Sequence, residues 1–155
     1  MQNQKALIWF RNNLRILDNN ILNKALQSNE NIIAYYNFDS KFFKSDRWGF
    51  NKTEKFRAKF LIETIENLKK SLKTLNISLI IDQSSSSKGL IDVIKKYGIN
   101  SLYYQKEWTD EEQKVEQNLI NELPHGFNLK SYYDQFLYHP EDIMIKPKEI
   151  PDVFS

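Results

Sequence analysis

The sequence has no cysteine, and only four glycines and four prolines in 155 residues. Without thiols there is neither a disulfide framework nor a thiolate zinc site. The glycines stand singly at Gly49, Gly89, Gly98 and Gly126, so no G-x-G-x-x-G turn and no P-loop can be formed. That argues against an ordinary dinucleotide oxidoreductase. A dominant charge is missing too: 22 basic and 20 acidic residues leave a net +2, far from the one-sided basic surface that binds nucleic acid by charge alone. No apolar run is long enough for a membrane span and no signal peptide is visible, which makes a cytoplasmic location the expectation. His125 and His139 have no cysteine or carboxylate set at metal-ligand spacing beside them, so no metal site is expected. No serine-histidine-acid triad can be read from one sequence, because triads are recognised by geometry. No catalytic residue is assigned.

What is present is alternation. Five short apolar runs read as strands, at 6–10, 32–38, 77–81, 101–104 and 128–132, and helical stripes fall between them, the pattern of a parallel sheet covered on both faces. A short helix is expected at 20–26 and a long one at 53–75, its stripe of Phe56, Phe60, Ile65, Leu68, Leu72 and Leu75 facing the sheet. On that reading Phe60→Ala removes a buried aromatic and costs about 3–5 kcal/mol. A third helix spans 88–97, closed by Gly98 in a left-handed conformation. Thr109 and Glu112 form a capping box that opens a fourth, with Val115, Leu119, Ile120 and Leu123 inward. The serine run at 84–87 reads as a loop that supplies a helix cap. The first strand, apolar on both faces, belongs in the middle of the sheet. The tail, with Pro140, Pro147 and Pro151, reads as an extended connector.

The opening run, Ala6-Leu7-Ile8-Trp9-Phe10-Arg11-Asn12-Asn13-Leu14-Arg15-Ile16-Leu17-Asp18-Asn19, takes an apolar strand straight into arginine and then into a polar helix start. Charged groups thereby stand at the carboxyl end of a buried strand, where open α/β sheets bind ligands. The run resembles the amino-terminal signature of the DNA photolyase and cryptochrome family: a tryptophan-phenylalanine-arginine triplet, then leucine-arginine, then aspartate-asparagine. Phe50-Asn51-Lys52-Thr53-Glu54-Lys55-Phe56-Arg57-Ala58-Lys59-Phe60-Leu61-Ile62-Glu63, Leu137-Tyr138-His139-Pro140-Glu141-Asp142 and Ile150-Pro151-Asp152-Val153-Phe154 resemble segments of the cryptochrome DASH branch. Asn13 departs from the pattern where the family usually carries an acid, and Asn51 where the branch usually has proline.

The resemblance implies a Rossmann-like α/β fold with a five-stranded parallel sheet. Residues 1–133 would be an antenna domain, and 134–155 the start of a linker to a helical FAD-binding domain that this chain lacks. It further implies a methenyltetrahydrofolate antenna. In the intact protein, FAD in the second domain would drive light-dependent repair of a cyclobutane pyrimidine dimer in DNA, or blue-light signalling, and the present chain alone would be catalytically silent. A free-standing nucleotide- or flavin-binding module with a regulatory or electron-transfer role is the alternative, and a structural domain without ligand a third.

Six residues are candidates for cofactor contact. Glu63 lies near the apolar stripe of the long helix, where a lone glutamate is ordinarily solvated. By resemblance it matches the acid that receives the pterin, whose adjacent N–H donors suit an ionised carboxylate. Glu107, Trp108 and Asp110 stand at the joint between the fourth strand and the next helix, although both acids equally suit a helix first turn. Trp48 and Phe50 occupy a glycine-containing loop, where a planar ligand or a neighbouring domain would cover them. Arg11, Arg15 and Asp18 are close enough along the chain for an ion pair, with Asp18 or Asn19 available as helix cap. Trp9 and Phe10 read as core.

Overall fold

The computed structural model describes residues 5–29, 31–39, 43–45, 48–50, 53–84, 86–137 and 142. In chain order these form β1 (Lys5–Phe10), α1 (Asn20–Ser28), β2 (Asn31–Asn37), α2 (Lys55–Thr74), β3 (Ser78–Asp82), α3 (Ser86–Tyr97), β4 (Ser101–Gln105), α4 (Asp110–Glu122) and β5 (Asn128–Tyr132). The strands make one parallel sheet of order β3-β2-β1-β4-β5. The α/β class and the central place of β1 are therefore as the sequence implied. Segments expected to form the linker, Pro140, Pro147 and Pro151 among them, lie outside the described residues, as does residue 85 of the serine run.

Because neighbouring side chains on a strand point to opposite faces, β1 divides the interior in two. Ala6, Ile8 and Phe10 pack with Ile21, Leu22 and Ala25 of α1 and with Ile65, Leu68 and Leu72 of α2. Leu7 and Trp9 pack with Leu90, Ile91 and Ile94 of α3 and Leu119 of α4. Helix ends follow local chemistry. Asn19 caps α1, its Oδ1 accepting from Leu22 N at 3.0 Å, whereas Asp18, the other candidate, is exposed with φ 48°. Thr109 caps α4 by accepting from Glu112 N at 3.4 Å. After α3, Gly98 takes φ 62° and Ile99 N donates to Ile94 O at 3.0 Å, the closing bond of a Schellman motif.

The stripe of the long helix is corrected by the structure. Phe56 is 84% exposed, Phe60 70% and Leu75 39%, and the buried residues are Ile65, Leu68 and Leu72. The reason is length. A helix of 20 residues runs about 30 Å, whereas the 5-residue β3 covers about 17 Å, so the first turns of α2 overhang the carboxyl edge of the sheet. Ile120, expected inward on α4, is likewise 42% exposed.

At the far end of β3 a polar knot fixes the approach of α3. Asp82 Oδ2 accepts from Tyr35 Oη at 2.9 Å and from Ser84 Oγ, and Asp82 Oδ1 accepts from the backbone N–H of Gln83 and Ser84 at 2.8 and 3.2 Å. Burial alone would raise this carboxyl. The donated hydrogen bonds, Ser84 and Tyr35 first, outweigh it and hold Asp82 below its ordinary range. Gly89 sits against the knot: a Cβ there would overlap Asp82 Oδ2 and Ser84 Oγ and come 2.7 Å from Tyr35 Oη.

Two outcomes are expected on urea denaturation. Phe60→Ala costs less than about 1 kcal/mol while Leu72→Ala costs about 2–5; equal losses would place both residues in the core. Gly89→Ala, which ordinarily stabilises a helix, instead costs about 1–3 kcal/mol through overpacking.

Candidate functional site

The order of the strands reverses direction at β1 and β4, and the carboxyl ends of that pair are where open α/β sheets place ligands. Here the crevice is filled by the chain's own polar side chains. Arg11, the first residue after β1, is ion-paired with Glu116 of α4, the two side chains only 7% and 13% exposed. Its guanidinium also donates to Gln105 O at 3.3 Å and Glu112 O at 3.4 Å, and stands 4.6 Å over the Trp9 ring. Of the two arginines expected near Asp18, Arg15 makes the pair, at 3.6 Å on the surface. Asn13 is buried, and its Oδ1 accepts from Arg11 N at 3.2 Å. That oxygen is common to asparagine and aspartate, so the departure at this position keeps the bond that shapes the turn.

Glu107 is the hub of the crevice. It is 6% exposed; its Oε1 accepts from Asn12 Nδ2 at 3.1 Å and Gln105 Nε2 at 3.2 Å, and its Oε2 from Gln135 Nε2 at 3.2 Å. Burial, with Glu112 nearby, pushes its carboxyl above the ordinary range against the pull of Arg11, Gln135 and Asn12. The structure thus places Glu107 inside, braced by three amides, rather than on a ligand-facing surface. Trp108, next in sequence, does face outward. Its ring stacks on Tyr133 at 4.8 Å and meets Phe136 edge-on at 5.3 Å. Gln135 Nε2 also donates to Lys106 O at 2.8 Å, and Asp134 Oδ2 accepts from Asn20 N at 3.0 Å. Residues 134–136, read from sequence as the start of a linker, are accordingly fastened to the sheet edge. Asp110 is exposed in the first turn of α4, where Glu111 and Glu112 accompany it and the helix dipole favours acids.

Glu63 stands on α2 just beyond its overhanging turns, its side chain 58% exposed and 3.8 Å from Lys59 Nζ. Trp48 and Phe50, in the β2–α2 connection, are 69% and 73% exposed. All six candidates therefore belong to the carboxyl side of the sheet. They fall into two groups: Glu63 on α2 with Trp48 and Phe50 in the β2–α2 connection, and Glu107, Trp108 and Asp110 at the start of α4. Gln105 was within reach of sequence reading, since it opens the same strand-helix joint as Glu107. Glu116, Asn12 and Gln135 were missed as members of the site, because their partners lie far apart in the chain.

A raised carboxyl in the folded state binds its proton more readily than in the unfolded chain. Stability from protonated Glu107 is therefore full below the ordinary glutamate range and lost as pH rises through the raised value. Urea midpoints measured between neutral pH and about pH 4 should show wild type gaining on Glu107→Gln as pH falls; parallel curves would mean that Glu107 titrates normally.

Residues 6–155 match the family model described as DNA photolyase. Cryptochrome DASH of Synechocystis sp. is 35% identical over 97% of this chain, and that of Gloeobacter violaceus 33% identical over 100%. In each case the match covers 31% of the relative, so this chain spans about a third of the length of these proteins. A crystal structure of the Synechocystis sp. cryptochrome aligns with a TM-score of 0.90 at 34% identity, over 97% of this chain and 31% of that one.

Proposed function

The chain belongs to the DNA photolyase family, with the α/β fold of the family's amino-terminal domain and cryptochrome DASH proteins among its relatives, and from that premise we propose that it is an antenna-chromophore domain. The chromophore it suits is of the methenyltetrahydrofolate type. One observation carries this reading: Glu63 presents an exposed carboxylate beside the exposed Phe60, with a long contact to Lys59 its ion pair among the described residues. Such a carboxylate is free to accept two parallel hydrogen bonds from adjacent N–H donors, as a pterin edge offers. Trp48, Phe50, Trp108 and Asp110 supply apolar and polar wall at the same edge, and Glu107 acts from behind by holding the Trp108 joint in place.

A free-standing flavin- or nucleotide-binding module is less well supported, because the crevice such a module would use is packed with Arg11, Glu116, Gln105 and Glu107. In the intact protein the antenna supplies light absorption. FAD, held by a helical domain outside this chain, supplies the electron for opening a cyclobutane pyrimidine dimer in DNA, or for blue-light signalling. A cytoplasmic location belongs to the same proposal. No helix among the described residues is long and apolar enough to cross a membrane.

Half a pocket holds a ligand weakly, since a bound molecule of this size needs about 70–90% of its surface covered. The test therefore uses the longest polypeptide encoded by the reading frame that contains this chain, loaded with methenyltetrahydrofolate. Glu63→Gln keeps the shape but turns one acceptor into a donor facing the pterin, and should weaken folate binding by about 1–3 kcal/mol. Unchanged folate absorbance and unchanged energy transfer to FAD would remove Glu63 from the site.

A further inference from the structure

A concavity of about 410 Å³ lies away from the crevice, where α4 ends and β5 begins. Ile120 and Leu123 of α4 and its C-cap, with Phe127 and Leu129, give it an apolar lining, and Asn121 and His125 are polar members. The packing explains why it stays open. Leu119 is the one buried residue of α4; Leu123, Phe127 and Leu129 pack only partly into the α3/α4 layer, and Ile120 is 42% exposed. That layer stops short of the outermost strand.

The same strand has a free side. β5 pairs with β4, and among the described residues no strand lies beyond it. Tyr132 O accepts from Lys106 N, so residue 132 turns its backbone groups toward β4, and by alternation Leu129 and Ser131 turn theirs outward. Natural sheets blunt such edges with lysine, proline or a bulge. Here the strand has no proline, and its one lysine, Lys130, is turned back with Nζ 5.2 Å from the centre of the Tyr103 ring. Nor does the next segment cover the edge, because Asp134 bonds to Asn20 and Gln135 to Lys106, which leads the chain over β4 toward α1.

We propose that the free side of β5 and the adjoining cavity form one binding site for an extended segment of another protein, which adds a sixth strand to the sheet. Outward backbone groups of Leu129 and Ser131 supply hydrogen bonds, and an apolar side chain of the segment enters the cavity and supplies selectivity. Charge selects its neighbour. The last turn of α4 carries Glu122 and no basic residue, although a helix carboxyl end favours cations, so the apolar residue is flanked by lysine or arginine. Glu63 and Trp108 take no part, so this site does not rest on the antenna reading.

The probe is the peptide acetyl-Lys-Val-Thr-Val-Thr-Val-Lys-amide, added to the longest polypeptide encoded by the reading frame that contains this chain. It should bind saturably and slow exchange of the Leu129 and Ser131 amides at least about tenfold, leaving those of β3 unchanged. Ser131→Pro, which removes an outward N–H, and Ile120→Lys, at an exposed position, should each weaken binding at least about tenfold with little change in urea midpoint. The same peptide with glutamate in place of lysine should bind more weakly. Amides at Leu129 and Ser131 already protected without peptide overturn the proposal, because the protein's own chain would cover the edge. So do protection at 78–82 instead of β5, self-association that Ser131→Pro abolishes, and binding that Ile120→Lys leaves unchanged.

Discussion

Burial of β1 on both faces is the constraint from which the rest follows. A strand with Ala6, Leu7, Ile8, Trp9 and Phe10 all buried must lie between two helix layers, and its first polar residue must then be Arg11 at the exact depth where the core ends. A guanidinium at that depth requires a partner, since an unpaired buried charge costs several kcal/mol. Glu116 meets the requirement from α4. The pair fixes the register of α4 against the sheet, and α4 in turn carries the joint at Trp108.

The central place of β1 and the helix caps were legible in the sequence because they rest on local pattern. Alternation places Leu7 and Trp9 opposite Ala6, Ile8 and Phe10, and the chemistry of Asn19, Thr109 and Gly98 needs only a few neighbouring residues. The choice of Asn19 over Asp18 was already harder, since it depends on which of the two turns inward. The faces of α2 were not legible. Phe56 and Phe60 continue the helical period of Ile65, Leu68 and Leu72, and period alone carries no information about where the sheet beneath a helix stops.

The candidate site was partly legible for the same reason. Motif resemblance drew attention to Glu63 and to the residues from Glu107 to Asp110, and the structure puts Glu107 to Asp110 at the carboxyl end of β4 and Glu63 on α2. What could not be read was direction. Glu107 and Asp110 are three residues apart and carry the same charge, yet one is enclosed by Asn12, Gln105 and Gln135 and the other faces solvent. Only Gln105 is a near neighbour; Asn12 and Gln135 come from distant parts of the chain, so no local pattern announces the enclosure.

Polar filling of the crevice and apolar exposure around it are two aspects of one arrangement. Because Arg11, Glu116 and Glu107 occupy the space between β1 and β4, a planar ligand cannot enter the sheet there and must instead lie over its edge. A site on an edge is open on its outer side. Its aromatic residues then need a second surface, both to exclude water from a bound ring and to cover the apolar area when no ring is present. On the proposed antenna reading, the buried ion pair and the exposed phenylalanines of α2 point the same way: a ring held at this edge would need cover supplied from outside the sheet.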